Sequence, residues 1–228
     1  TLCSKEYFLK YEYLVFDLDG TISNPKDGIV KSLNYALSAH GFETQDENEL
    51  CAYIGPPLDS AFMTITKSDD PELVSSLICK YRERYSDVGF SENFLYSGIP
   101  EVLEQLSSNP DIKLGICTSK RVDFAERILD LFGLRHFFSF VNGGDVGVEK
   151  WQQLGSLLEQ GAINKKSVMI GDRYVDITAA QKNNLQSAGV LWGFGSHSEL
   201  SQHEPSHLLT SPCELAGLAE ENLGQTRI

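Results

Sequence analysis

Two aspartates spaced two residues apart, Asp17 and Asp19, close the apolar run Tyr13-Leu14-Val15-Phe16 and are followed at once by Gly20-Thr21. Side chains two apart on a strand project to the same side, so both carboxylates would sit together at the strand's carboxyl end. Crowded there they repel each other and lose hydration, which calls for a cation, a shared proton or a nest of hydrogen bonds. The carboxyl edge of a parallel sheet is also where α/β proteins bind ligands. A second pair, Asp172 and Asp176, follows another apolar run, Val168-Met169-Ile170, and is separated by one helical turn. Carboxylates in such settings serve as nucleophiles, as acid–base groups and as ligands of hard cations. The same residues also suit plainer roles: Asp17-Leu18-Asp19-Gly20 as a solvated turn, and Asp176 as a charge favoured near a helix N-terminus.

The elements that must position these groups divide the chain in two. After the first strand, a turn-rich segment from Ile22 to Gly28 leads into helical stripes at Ile29–Leu37, Leu50–Ile54, Leu58–Ile65 and Pro71–Tyr85, with no convincing strand before residue 95. From Gly98 the pattern alternates. Strands are expected at Lys113–Cys117, Phe137–Val141, Val168–Ile170, Ser187–Leu191 and His207–Thr210. Helices are expected at Glu101–Leu106, Arg121–Phe132, Trp151–Glu159, Tyr174–Lys182 and Pro212–Ala219. Repeated βα units imply a parallel sheet covered by helices on both faces. The expected class is therefore α/β, with a helical segment inserted after the first strand.

At 228 residues the chain suits one large domain or a core with a smaller insertion. Hydrophobic content of 41% and charged content of 22% are those of an ordinary globular protein. A net charge of −13 argues against a nucleic-acid polymer and against an anionic membrane surface as partner. The cysteines, Cys3, Cys51, Cys79, Cys117 and Cys213, are scattered and odd in number, which favours reduced thiols and a cytoplasmic location. Neither a signal peptide nor the roughly 20-residue apolar run of a membrane span is expected. Residues 1–10 read as a loosely held lead-in. A monomer or weak homo-oligomer is expected.

Asp17-x-Asp19-Gly20-Thr21 resembles the first motif of the haloacid dehalogenase-like hydrolases. Thr118-Ser119 after Lys113–Cys117 resembles the second, Lys150 the third, and Gly171-Asp172-Arg173-Tyr174-Val175-Asp176 the fourth. The likeness extends to Asn24–Ile29, Ile54–Leu58, Thr118–Lys120 and Trp192–Ser196, which resemble the phosphoglycolate phosphatase-like and 5′-nucleotidase-like branch. It implies a Rossmann-like, doubly wound parallel sheet formed by residues 1–23 and 96–228, with residues 24–95 as a helical cap.

The activity that the resemblance implies is Mg²⁺-dependent hydrolysis of a small phosphorylated metabolite. Asp17 would attack phosphorus and form an aspartyl-phosphate, and Asp19 would serve as general acid and then base. Asp172, Asp17 and the Asp19 carbonyl would hold Mg²⁺, with Asp176 acting through a bound water. Thr118, Ser119 and Lys150 would bind the phosphoryl oxygens. Lys120 and Arg173 would touch substrate or pair with acids. Tyr53 and Leu58 flank the rigid Gly55-Pro56-Pro57 turn and would either select the leaving group or form a plain interhelical turn. A phosphomutase shares both aspartates and remains an alternative, as does a regulatory protein that keeps the fold without turnover. Dehalogenation fits worse, because it needs neither Asp19 nor a metal. His203 and His207 are set aside as a zinc pair because Pro205 lies between them. Gly143-Gly144 and Gly193/Gly195 lack the Gly-x-Gly-x-x-Gly spacing of a dinucleotide loop and read as tight turns.

Overall fold

The first strand, β1 (Tyr13–Phe16), lies at the centre of a six-stranded parallel sheet in the computed structural model, which describes residues 10–219. The chain continues through β2 (Ser23–Asn24), α1 (Lys26–Ala39), α2 (Glu47–Leu50), α3 (Leu58–Thr66), α4 (Pro71–Asp87) and β3 (Phe94–Leu95). It then alternates: α5 (Ile99–Ser107), β4 (Lys113–Thr118), α6 (Val122–Leu131), β5 (Phe138–Gly143), α7 (Lys150–Glu159), β6 (Ser167–Gly171), α8 (Tyr174–Lys182), β7 (Gln186–Val190), α9 (His197–Gln202) and β8 (His207–Leu209).

The sheet runs in the order β5-β4-β1-β6-β7-β8. It grows from β1 to one side through β4 and β5, then crosses to the other side for β6, β7 and β8. The strand order thus reverses at β1, and a crevice must open where the flanking loops diverge. Register carries the chemistry to that crevice. Phe16 sits opposite Ile116 of β4 and Ile170 of β6, so Asp17 and Asp172, just beyond their strands, and Thr118, the last residue of β4, emerge at one edge.

Alternate residues of β1 enter different layers, as a doubly covered strand requires. Leu14 and Phe16 pack with Ile116, Ile170, Leu103 and Ile128 beneath α5 and α6. Val15 packs with Cys117, Met169, Leu154 and Ala180 beneath α7 and α8. Helices α1 to α4 form a third cluster of their own, with Val30, Leu33, Leu37, Phe62, Leu77 and Tyr81 at its centre. Phe124 of α6 and Phe194 join that cluster, so the insertion is seated on the sheet unit through apolar contact.

Four local features depart from the sequence expectation. In place of the helix expected at Leu50–Ile54, α2 ends at Leu50 and a 3₁₀ turn covers Cys51–Tyr53. Ser23–Asn24 and Phe94–Leu95 are strands that pair antiparallel and tie together the two crossings into the insertion. Two residues are too few to leave an alternating pattern. Helix α9 was not foreseen. It is six residues long, and its first turn is held by the Ser196 side chain accepting from Glu199 N at 3.0 Å. The segment Pro212–Leu218 is a 3₁₀ helix, tighter than the α-helix expected. Cys3 and the lead-in up to residue 9 lie outside the described residues, as do residues 220–228. No helix among the described residues is long and apolar enough to cross a membrane.

Candidate active site

Asp17 leaves β1 with its own amide bonded to the Ile170 carbonyl at 2.8 Å, which continues the sheet ladder one residue past the strand. Its carboxylate is buried. Oδ1 accepts from Leu18 N at 2.8 Å and Oδ2 from Lys150 Nζ at 2.8 Å. Lys150 opens α7 and is 3% exposed, and its ammonium also reaches Asp176 Oδ1 at 2.5 Å. Burial alone would pull this ammonium's pKa down. The two carboxylates outweigh it, so Lys150 is held above its ordinary value and stays charged.

Asp172 follows β6 and is fully buried. Phe194 N donates to its Oδ2 at 2.7 Å, and Thr21 Oγ1 lies 3.5 Å from Oδ1, a long contact. Two glycines make room for it. Gly20 has φ +83°, a conformation other residues rarely adopt, and a Cβ there would lie 2.2 Å from Asp172 Oδ2. A Cβ on Gly193 would lie 2.4 Å from the same oxygen. Asp17, Asp172 and Asp176 bring carboxylate oxygens within 4.8 Å of one another. Burial, then the charges of Asp176 and Asp17, push Asp172 well above the usual carboxylate range. Burial likewise raises Asp176, to about 6, against the opposing pull of Lys150.

Two of these three buried carboxylates share the Lys150 ammonium and Asp172 has no such partner, so a divalent cation fits the remaining charge. The oxygens differ in what they have left to offer. Both of Asp176 are taken, Oδ1 by Lys150 and Oδ2 by Arg173 N at 3.0 Å. Asp172 Oδ1, with only its long contact to Thr21, is the freest of the set.

Asp19 is 7% exposed and faces the cavity that Asp17 also lines. Lys120 Nζ reaches its Oδ2 at 2.9 Å, while Oδ1 is buried without a partner. Burial raises the Asp19 pKa, partly offset by Lys120. The cavity is small, about 90 Å³, and lies between the insertion and the sheet edge. Thr118, Ser119 and Lys120 form its floor with the two aspartates, and Tyr53–Leu58, Tyr81 and Tyr85 line it from the insertion. The floor is braced from behind: Gln153 of α7 donates to Thr118 O at 3.0 Å and Asn142 Oδ1 at 2.8 Å.

Arg173 does not line this cavity. Its guanidinium pairs with Glu199 at 2.9 Å and donates to the backbone carbonyls of Ala52 and Ile54, at 3.1 and 2.5 Å. It ties the loop after β6 to the insertion's Tyr53–Leu58 loop. Gly55, with φ +106°, brings that loop close enough that a Cβ would lie 2.8 Å from Arg173 Cγ.

Tyr85, Tyr81, Arg82 and Phe124 were not singled out as site residues, although all four line the cavity. The sequence signal of Tyr81, Tyr85 and Phe124 is that of apolar helical stripes, which say which face is buried but not against what. Gly193 and Gly195 lie in bends, in keeping with the expected turn, whereas Gly143 ends strand β5; all four are also close approaches, and none has positive φ. A Cβ on Gly143 would lie 2.3 Å from Val122 N, and one on Gly195 would lie 1.9 Å from Asp172 O.

The sequence and the fold resemble those of known proteins. The chain is 34% identical to a 5′-nucleotidase of Pseudomonas aeruginosa over 218 residues, 94% of this chain and 98% of that one. It is 31% identical to a pyrophosphatase of Bacillus pumilus over 212 residues, 90% of this chain and 94% of that one. Among solved structures, one from Clostridium acetobutylicum, described as a predicted phosphatase, superposes with a TM-score of 0.87 at 34% identity. It covers 92% of this chain and 98% of the other. The profile of the haloacid dehalogenase-like hydrolases matches residues 14–190, the span from β1 to the end of β7, and the chain belongs to that family.

Proposed function

We propose that this protein is a metal-dependent phosphatase that hydrolyses a small phosphate monoester through an aspartyl-phosphate on Asp17. The observation that carries the reading is the division of labour between two aspartates lining one cavity. Asp17 is paired with a buried ammonium, whereas Asp19 keeps one buried oxygen free of any partner.

Phosphate monoesters hydrolyse very slowly in water, so charge neutralisation and an oriented nucleophile must supply most of the acceleration. In the first step an Asp17 carboxylate oxygen bonds to phosphorus, the ester P–O bond breaks, and the leaving oxygen takes a proton from Asp19. In the second, Asp19 removes a proton from water, the water oxygen bonds to phosphorus, and the Asp17–phosphorus bond breaks to release inorganic phosphate. Thr118, Ser119 and Lys150 hold the phosphoryl oxygens through both steps. Asp17, Asp172 and the Asp19 carbonyl would hold a divalent cation such as Mg²⁺, which would offset the charge of the phosphoryl group. Asp176 would steady Lys150 and a metal-bound water.

The insertion, residues 24–95, acts as a cap over this edge, and, among the described residues, 10–23 and 96–219 form the catalytic core. A closed cap excludes water and strengthens every electrostatic contact beneath it. The relatives' names point to different phosphate substrates, a nucleotide and pyrophosphate. The cavity of about 90 Å³ favours a small leaving group in the closed form. Release of inorganic phosphate from p-nitrophenyl phosphate, supported by Mg²⁺ and abolished by EDTA, tests the reading. Absence of release from every ester in a broad phosphometabolite panel would overturn it. Transfer of phosphate to a second sugar hydroxyl, in place of release, would favour a phosphomutase.

A further inference from the structure

We propose that Tyr85, a cap residue, positions the acid–base group Asp19 by bracing Lys120 against it, an inference that rests on the phosphatase reading above. The two oxygens of Asp19 are unequally held. Lys120 Nζ fixes Oδ2 at 2.9 Å, and Oδ1 remains unpartnered at the cavity. Lys120 Nζ in turn donates to the Tyr85 hydroxyl at 2.6 Å and lies 4.5 Å from the centre of the Tyr85 ring. The lysine side chain is 6% exposed and Tyr85 1% exposed, so both contacts are shielded from bulk solvent.

Tyr85 is fixed in its turn. It stacks on Tyr81 with ring centres 5.3 Å apart and meets the Phe124 ring edge-on at 5.1 Å. A lysine is a flexible point charge with many rotamers, and one contact with a carboxylate does not define its position. A second acceptor on a clamped aromatic ring does. With Oδ2 held, the free Oδ1 is the atom that carries the proton to the leaving oxygen as the ester P–O bond breaks. The backbone of Lys120 belongs to the phosphoryl-binding loop, because its amide donates to Thr118 Oγ1 at 3.3 Å. The chain of contacts therefore runs from α4 of the cap, through Lys120, to the acid group and the phosphoryl floor. Lifting the cap withdraws Tyr85 and leaves Asp19 without its brace, so the acid is oriented only when the cap is seated over substrate.

Tyr85→Phe removes one oxygen and keeps the stack and the edge contact. The experiment compares kcat/KM, which reads the steps up to departure of the leaving group and not the later hydrolysis of the aspartyl-phosphate, for two esters: the alkyl phosphate that the wild type turns over fastest, and p-nitrophenyl phosphate, whose phenolate departs without a proton. For the alkyl ester kcat/KM should fall about tenfold, while for p-nitrophenyl phosphate it should change by less than about twofold. Lys120→Met should give the same split with a larger loss. Tyr35→Phe, which removes an exposed hydroxyl bonded to Glu83 on the cap, should change neither ester. Equal losses on both esters, or none on either, would show that Tyr85 only packs the cap, and would overturn the proposal. A wild type that hydrolyses neither ester would remove the phosphatase reading and this inference with it.

Discussion

Gly20→Ala places one methyl group where the structure has no room for it. A non-glycine residue at φ +83° costs about 1–2 kcal/mol before any contact is counted. The new Cβ would also lie 2.2, 2.5 and 2.6 Å from Asp172 Oδ2, Cγ and Oδ1, so the whole carboxylate must move. Its retreat is blocked on the far side by Gly193 and Phe194. To escape, Asp172 must break its 2.7 Å bond from Phe194 N, a hydrogen bond to a charged group that contributes about 1.5–3 kcal/mol. Together these terms come to about 3–5 kcal/mol, borne by the residue expected to hold the metal. The assay is thermal unfolding at increasing Mg²⁺, with activity measured across the same titration. The wild type should gain Tm with Mg²⁺ by mass action. Gly20→Ala should start several degrees lower, show little Mg²⁺-dependent gain and need far more metal for any turnover. A variant with wild-type Tm and wild-type Mg²⁺ midpoint would refute the packing argument.

Three further outcomes follow from the same contacts. Asp172→Ala should weaken Mg²⁺ binding, read by calorimetry, far more than Asp176→Ala, because both oxygens of Asp176 already have protein donors; equal losses would place Asp176 among the direct ligands. Tyr53→Ala and Leu58→Ala should reorder kcat/KM across phosphoglycolate, nucleotides and sugar phosphates, since both line the cavity from the cap; a uniform loss with the ranking intact would assign the loop to closure alone. Glu92 is held below its ordinary pKa of 4.5 by its hydrogen bonds from Arg84, at 2.8 and 3.1 Å. The stability it adds is thus present above that value and is lost as pH falls through the lowered one. Glu92→Gln should flatten that acid limb of the unfolding curve, and an unchanged limb would remove this pair from the account.

What could be read from the sequence was whatever short-range pattern records. Tyr13–Phe16 ends in Asp17-Leu18-Asp19 because a strand buried on both faces is a solid apolar run, and its carboxyl end is where polarity can return. Asp172 and Asp176 show themselves in the same way, behind Val168–Ile170. The α1, α3 and α4 stripes were visible because each of these helices must turn an apolar face inward, whereas the stripe expected at Leu50–Ile54 meets α2 only at Leu50. What was not legible depends on packing between distant segments. Tyr85 reads as one more stripe residue, and only the seating of α4 over the β4 loop shows that its hydroxyl meets Lys120. Gly143 and Gly193 read as turn residues because their reason, a neighbouring backbone or carboxylate within reach of a Cβ, lies elsewhere in the chain. Arg173 had two open readings, substrate or acid. It takes Glu199 together with two cap carbonyls, partners that stand 26 residues after it and more than a hundred before.

The nucleophile is the point on which everything else turns, and a structure of the Mg²⁺ and beryllium fluoride complex tests it most directly. Beryllium fluoride mimics a phosphoryl group and bonds to the carboxylate that would carry it. The account predicts beryllium on an Asp17 carboxylate oxygen, fluorines held by Thr118, Ser119 and Lys150, and the ion beside Asp172. It also predicts no adduct in Asp17→Asn. Beryllium bonded to any other residue, or an adduct that survives in Asp17→Asn, would contradict it.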